Sequence, residues 1–141
     1  MRRRTIAAAA AISSGLLVTT LTTSAHADTL TTLSCSTTGA FGQLSSTNWR
    51  SGTTGEFDVT MSVTDTKADD HHVQIRLVGK TIGATRVNWK WHSVTGGLGS
   101  EDSFGGPAQN SAGVIDIGVQ VARYEGSEYM NSCTDWAVGS G

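Results

Sequence analysis

The chain has 141 residues, 38% hydrophobic and 16% charged, with a formal net charge of −2, 17 Gly, one Pro and two Cys. So mild and mixed a charge excludes the basic stripe of a nucleic-acid binder and the polybasic patch that holds a protein to anionic lipid. The length suits one domain with a real core and is too short for two.

Arg2, Arg3 and Arg4 precede an uncharged, alanine-rich apolar stretch from Ile6 to Leu21, and Ala25-His26-Ala27 fits the small-x-small pattern of signal cleavage. Thr19, Thr20, Thr22, Thr23 and Ser24 interrupt the apolar run before it reaches the roughly 20 residues of a membrane span. The expectation is a signal peptide over residues 1–27 and a secreted, extracellular β domain over 28–141, with no membrane anchor after cleavage. Cleavage removes three of the ten cations and no acid, leaving seven Lys and Arg against twelve Asp and Glu, a net of −5.

Residues 28–56 are rich in Thr, Ser and Gly, with Leu30, Leu33, Phe41, Leu44 and Trp49 as scattered anchors. A short strand is expected around Cys35, and Ser45 to Gly55 reads as loop. Phe57, Val59, Met61 and Val63 then alternate with polar residues, the mark of a half-buried strand. A polar turn from Asp65 to Asp70 leads to a second strand carrying Val73, Ile75 and Leu77. After a turn at 79–84, Val87, Trp89 and Trp91 alternate with Asn88, Lys90 and His92 as a third strand. On one strand the two tryptophans share a face, which is either core or an open aromatic platform.

From Thr95 to Gly113 six glycines and Pro107 break the pattern. A structureless stretch of that length is either functional or hides a strand near Phe104. Ile115, Ile117, Val119 and Val121 give the cleanest alternation, and a last strand runs from Tyr129 to Val138. No helical period occurs. The expected fold is all-β, a single antiparallel β-sandwich or small barrel with one disulfide. Its expected core is Val59, Met61, Val63, Val73, Ile75, Leu77, Val87, Ile115, Ile117, Val119 and Val121.

Outside the cell, Cys35 and Cys133 most simply pair, tying the first strand to the last, against the alternative of two free thiols. In the chain-entropy view such a loop is worth at most roughly 4–5 kcal/mol. Neither cysteine stands at zinc-type spacing from the other or from a histidine. Asp65, Asp69 and Asp70 lack the alternate ligands and distal glutamate of a calcium loop and read as turn caps. His71 and His72 are neighbours and point to opposite faces of a strand. Gly-x-Ser-x-Gly does not occur. No cofactor, metal or catalytic residue is expected.

The residues Asp65 to Val73, Trp89-Lys90-Trp91-His92, Asp116 to Arg123 and Asn131 to Trp136 resemble a group of small exported β-rich proteins of actinobacteria. A looser likeness is to the β adaptor subunits of secreted umbrella-shaped toxin particles. The resemblance covers most of 56–136 and implies secretion and a β fold, with no catalytic assignment. The function expected is a non-enzymatic module that binds another extracellular protein, as an adaptor subunit of a multiprotein particle does. The rivals are a small inhibitor of a secreted hydrolase presenting Ser100–Pro107, and a carbohydrate-binding module. The expected partner-binding residues are Trp49, Trp136, Tyr124, Tyr129 and Arg123, with the flexible 96–106 segment as a second contact.

N-terminal sequencing of the exported protein should read Asp28 first, and its intact mass should match one disulfide. A mass two hydrogens higher under non-reducing conditions would sink the pairing.

Overall fold

The computed structural model describes residues 30–138, so the expected signal peptide at 1–27 lies outside the described residues. Within them, alternation of apolar and polar side chains produces nine strands and no helix. These are β1 (Thr31–Thr37), β2 (Ala40–Ser46), β3 (Phe57–Asp65), β4 (His72–Thr81), β5 (Arg86–Asn88), β6 (His92–Val94), β7 (Glu101–Ala108), β8 (Val114–Glu125) and β9 (Glu128–Val138). One sheet runs β1-β2-β3-β7 and the other β5-β4-β8-β9, every pairing antiparallel. The short β5 and β6 share one edge of β4, at Val78–Lys80 and Val73–Ile75. The sheets stack as a sandwich around Leu44, Phe57, Val63, Val73, Ile75, Leu77, Ile117, Val119 and Val121.

All of the expected core residues are buried except Val87 and Ile115. Val87 points inward opposite Gly79, but on a three-residue edge strand that leaves it half-buried. Ile115 is displaced by a bulge. Lys80 pairs with Asp116 and Thr81 with Val114, so Ile115 is the unpaired extra residue and Val114 turns inward in its place.

Residues 87–92 are not one strand. The chain leaves β5 at Asn88 and re-enters at His92, and Trp89-Lys90-Trp91 bridges the gap. Trp89 turns into the sandwich, its N–H donating to Leu77 O at 3.1 Å and its ring standing edge-on to Phe57 at 6.5 Å. Trp91 turns out. The indoles therefore do not share a face. The glycine-rich 95–113 segment holds β7, with Phe104 half-buried, so residues 96–106 are largely an edge strand of the first sheet.

β1 and β9 are the edge strands on the same side of the sandwich, and the disulfide Cys35–Cys133 clips them together across 98 residues of sequence. The inward positions of β9, Asn131, Cys133 and Asp135, face β1. Asp135 Oδ2 accepts a hydrogen bond from Ser34 N–H at 3.2 Å, and Thr37 Oγ1 donates to Asn131 Oδ1 at 3.1 Å. On β8 these three residues lie opposite Arg123, Val121 and Val119, and the bonds to β1 account for the polar Asn131 and Asp135 at inward positions.

Replacing Cys133 by Ser should lower stability by about 2–5 kcal/mol, measured by urea denaturation. Val119→Asp, at a fully buried position, should leave no cooperative thermal transition, since its carboxylate would have no partner. A normal melting curve for that variant would mean the faces are exchanged.

Candidate functional site

The outer face of the second sheet concentrates residues that lie far apart in the sequence. On β4 the outward positions are His72, Gln74, Arg76, Val78 and Lys80. On β8 they are Asp116, Gly118, Gln120, Ala122 and Tyr124, and on β9 they include Trp136. Tyr124 and Tyr129 lie opposite one another across the β8–β9 hairpin, with ring centroids 5.8 Å apart. Tyr124 also stacks on His72 at 5.7 Å and meets the edge of Trp91 at 6.3 Å.

Cations continue the row. The Arg76 guanidinium stands 4.2 Å from the centre of the Trp91 ring. Lys80 Nζ and Arg86 Cζ lie over the Trp136 ring at 4.8 and 5.5 Å. Between the two indoles, Arg76 Nε and Arg86 Nη2 both donate to one acceptor, Gln120 Oε1, at 2.8 and 3.2 Å. Burial first, and then the charge of Arg86, lowers the Arg76 pKa from its ordinary value. Two residues of the face bear on this packing. Val78 is fully buried although it points outward, and Gly118 leaves room for Trp136, whose Cε3 a β-carbon there would approach to 2.9 Å.

Of the expected partner-binding residues, the structure brings Tyr124, Tyr129 and Trp136 onto this one face. Tyr129 is exposed, while Tyr124 and Trp136 are half-buried. Two others it removes. Trp49, expected to be exposed, is buried in the core, because its loop is laced to the start of β8: Gly52 N–H donates to Val114 O and Val114 N–H to Thr53 O, each at 2.8 Å. Arg123, expected as a surface anchor, is 3% exposed and points into the end of the sandwich. Its Nη1 donates to Thr38 O at 2.9 Å and its Nη2 to Asp69 Oδ2 at 2.6 Å.

Arg123 thus joins the β1–β2 hairpin to the 65–71 turn. Gly39 makes that possible, since its φ of +88° suits the turn and a β-carbon there would fall 2.6 Å from Arg123 Nε. The turn itself is capped as its aspartates suggest, with Lys67 N–H donating to Asp65 Oδ1 and His71 N–H to Asp69 Oδ1. Burial opposes ionisation of Asp69, but hydrogen bonds from His71 and the Arg123 charge outweigh it and hold its pKa below 3.8.

Sequence reading missed Arg76, Lys80, Arg86 and Gln120 as site residues. Alternation alone placed Arg76 on the polar face of its strand; nothing local showed that Arg86, 34 residues from Gln120, would cross Val78 to meet it.

On the opposite side of the molecule from the disulfide, a cleft of about 320 Å³ opens between the sheets, lined by Val59, Met61, Leu77, Trp89, His92 and Pro107. His92 stacks on Phe104 at 4.5 Å. Among the described residues no group of three His, Cys, Asp or Glu side chains is arranged to hold a metal ion, and no helix is long and apolar enough to cross a membrane. No family model, curated protein or solved structure matches the chain.

Burial, and then the neighbouring Lys90, lower the His92 pKa from 6.5. The folded state therefore resists the proton that the unfolded chain accepts. Stability should hold above about pH 6.5 and fall as pH drops from there to the folded pKa, below which the loss is complete. His92→Gln should flatten that part of the stability–pH curve in urea titrations. The Asp69 contribution is separate, since it is lost only as pH falls below 3.8.

Proposed function

We propose that this chain is a non-enzymatic secreted module that docks another extracellular protein through the outer face of the β5-β4-β8-β9 sheet. The observation that carries the reading is the unbroken row Tyr129–Tyr124–Trp91–Arg76–Gln120–Arg86–Trp136, in which each side chain touches the next. Tyrosine, tryptophan and arginine dominate the energetics of protein interfaces. Here they are already held in place by one another, so little side-chain freedom is lost when a partner arrives. An adaptor role in a multiprotein particle is compatible with such a face.

The ring arrangement favours a protein partner over a sugar. A pyranose stacks on an open aromatic face, whereas Trp91 already carries Arg76, and Trp136 carries Lys80 and Arg86. The inhibitor reading loses its main support as well. The segment expected to present itself as a loop is an edge strand paired along its length with β3.

Affinity capture from the producer's culture medium, with partners identified by mass spectrometry, should return a discrete extracellular protein. Trp136→Ala and Tyr129→Ala should each weaken its binding by about 2 kcal/mol or more while leaving the melting temperature within a few degrees of the parent. Undiminished capture by both variants would remove this face from consideration.

A further inference from the structure

We infer that Arg76 and Arg86, with Gln120 between them, form a carboxylate-binding site, and that the segment docking here is an acidic stretch of a polypeptide. The inference rests on the docking reading above and adds what the partner must carry.

The charge distribution on this face is lopsided. The outward positions of β4, β5, β8 and β9 among the described residues include one carboxylate, Asp116, and it lies 3.3 Å from Lys80. Five ion pairs occur among the described residues, and neither Arg76 nor Arg86 belongs to any of them. Both guanidiniums instead share the single carbonyl oxygen of Gln120, which is neutral and offsets neither charge. Two like charges converging on one amide is an unfavourable arrangement that an arriving anion relieves. A guanidinium presents several N–H donors in a planar fork, so those not used on Gln120 remain for a carboxylate.

The site is also preorganised. Arg76 is braced by Trp91, and Arg86 by Trp136 and by Asn88 Oδ1, which accepts from Arg86 Nε at 3.0 Å. A bound carboxylate would sit between two indoles, in surroundings drier than open water, where a charge-assisted hydrogen bond is stronger. The flanking aromatics suit a chain that carries its acids next to apolar residues. An extended polypeptide provides that. A polyuronate does not, because its rings would have to stack on faces that the cations occupy.

The test is an NMR titration of the disulfide-bonded domain, following the Arg76 and Arg86 Nε–H signals and the Trp91 and Trp136 indole N–H signals. Three probes are used: a synthetic peptide of alternating Glu and Tyr, the same peptide with Gln for Glu, and polygalacturonate. The Glu peptide should shift all four signals saturably, and the Gln peptide should bind at least about tenfold more weakly. R76Q and R86Q should each produce a loss of the same order, while K67Q, in the remote 65–71 turn, should not. Gln120→Glu provides a sharper arm, since it places the chain's own carboxylate between the two guanidiniums. That variant should melt higher than the parent and bind the Glu peptide least.

Absence of a saturable shift up to about 1 mM peptide would overturn the inference. So would equal binding of the Gln peptide, tighter binding of polygalacturonate than of the Glu peptide, or a lower melting temperature for Q120E. Failure here with continued sensitivity of partner capture to Trp136→Ala would leave the docking face standing without its anion site. Insensitivity to both sets of variants would remove the face itself.

Discussion

The whole architecture hangs on the seam between β1 and β9. The two sheets share no strand, and both edge strands on this side would otherwise leave backbone groups unpaired. The disulfide Cys35–Cys133, with the bonds from Ser34 to Asp135 and from Thr37 to Asn131, joins the edges into one closed side. The bridge encloses nearly all of the described chain, so every unfolded conformation is constrained by it. The Ser34 bond does something the sulfur atoms cannot: it occupies a backbone N–H of the edge that would invite another strand. The other side of the sandwich has no such seam. There β7 faces β5 and β6 across a cleft, and closure is left to Trp89 and to the stacked rings of His92 and Phe104.

Alternation is a reliable guide to β3, β4 and most of β8, because a strand between core and solvent must repeat every two residues. It fails where one residue too many breaks the count. Ile115 reads as core in a run with Ile117, Val119 and Val121, yet the bulge opposite Lys80–Thr81 hands its place to Val114. Trp89 and Trp91 read as one face because nothing in six consecutive residues signals that the strand stops between them. One extra residue separates the indoles: Trp89 N–H still bonds Leu77 O in the register that sets Asn88 opposite Val78, but β6 resumes with His92, not Trp91, opposite Ile75.

Arg123 and Trp49 show a second kind of limit. An arginine near a chain turn and a tryptophan in a Ser/Thr/Gly loop are both sensible surface residues by composition. Each is buried because of a partner far away in sequence: Thr38 and Asp69 for Arg123, the Gly52–Thr53 contacts with Val114 for Trp49. The half of the site that is legible in the sequence, Tyr124, Tyr129 and Trp136, sits near the chain end, where a hairpin pairs close neighbours. The cationic half comes from β4 and from Arg86 on β5, and only the sheet order brings it alongside.

If the outer face docks a partner as proposed, it must reconcile binding with solubility. Four aromatic rings in a row on an open sheet would form the kind of apolar patch that associates without discrimination. Here Arg76, Lys80 and Arg86 lie on the indole faces and keep charge at the solvent boundary. Val78, on the same outward side of its sheet, is fully buried. A partner of the proposed kind would have to satisfy two demands together, since apolar surface alone would desolvate guanidiniums without giving them an acceptor, at a cost of order 1–3 kcal/mol or more. Selectivity of the proposed docking would then come from that penalty as much as from the attraction a matching partner supplies.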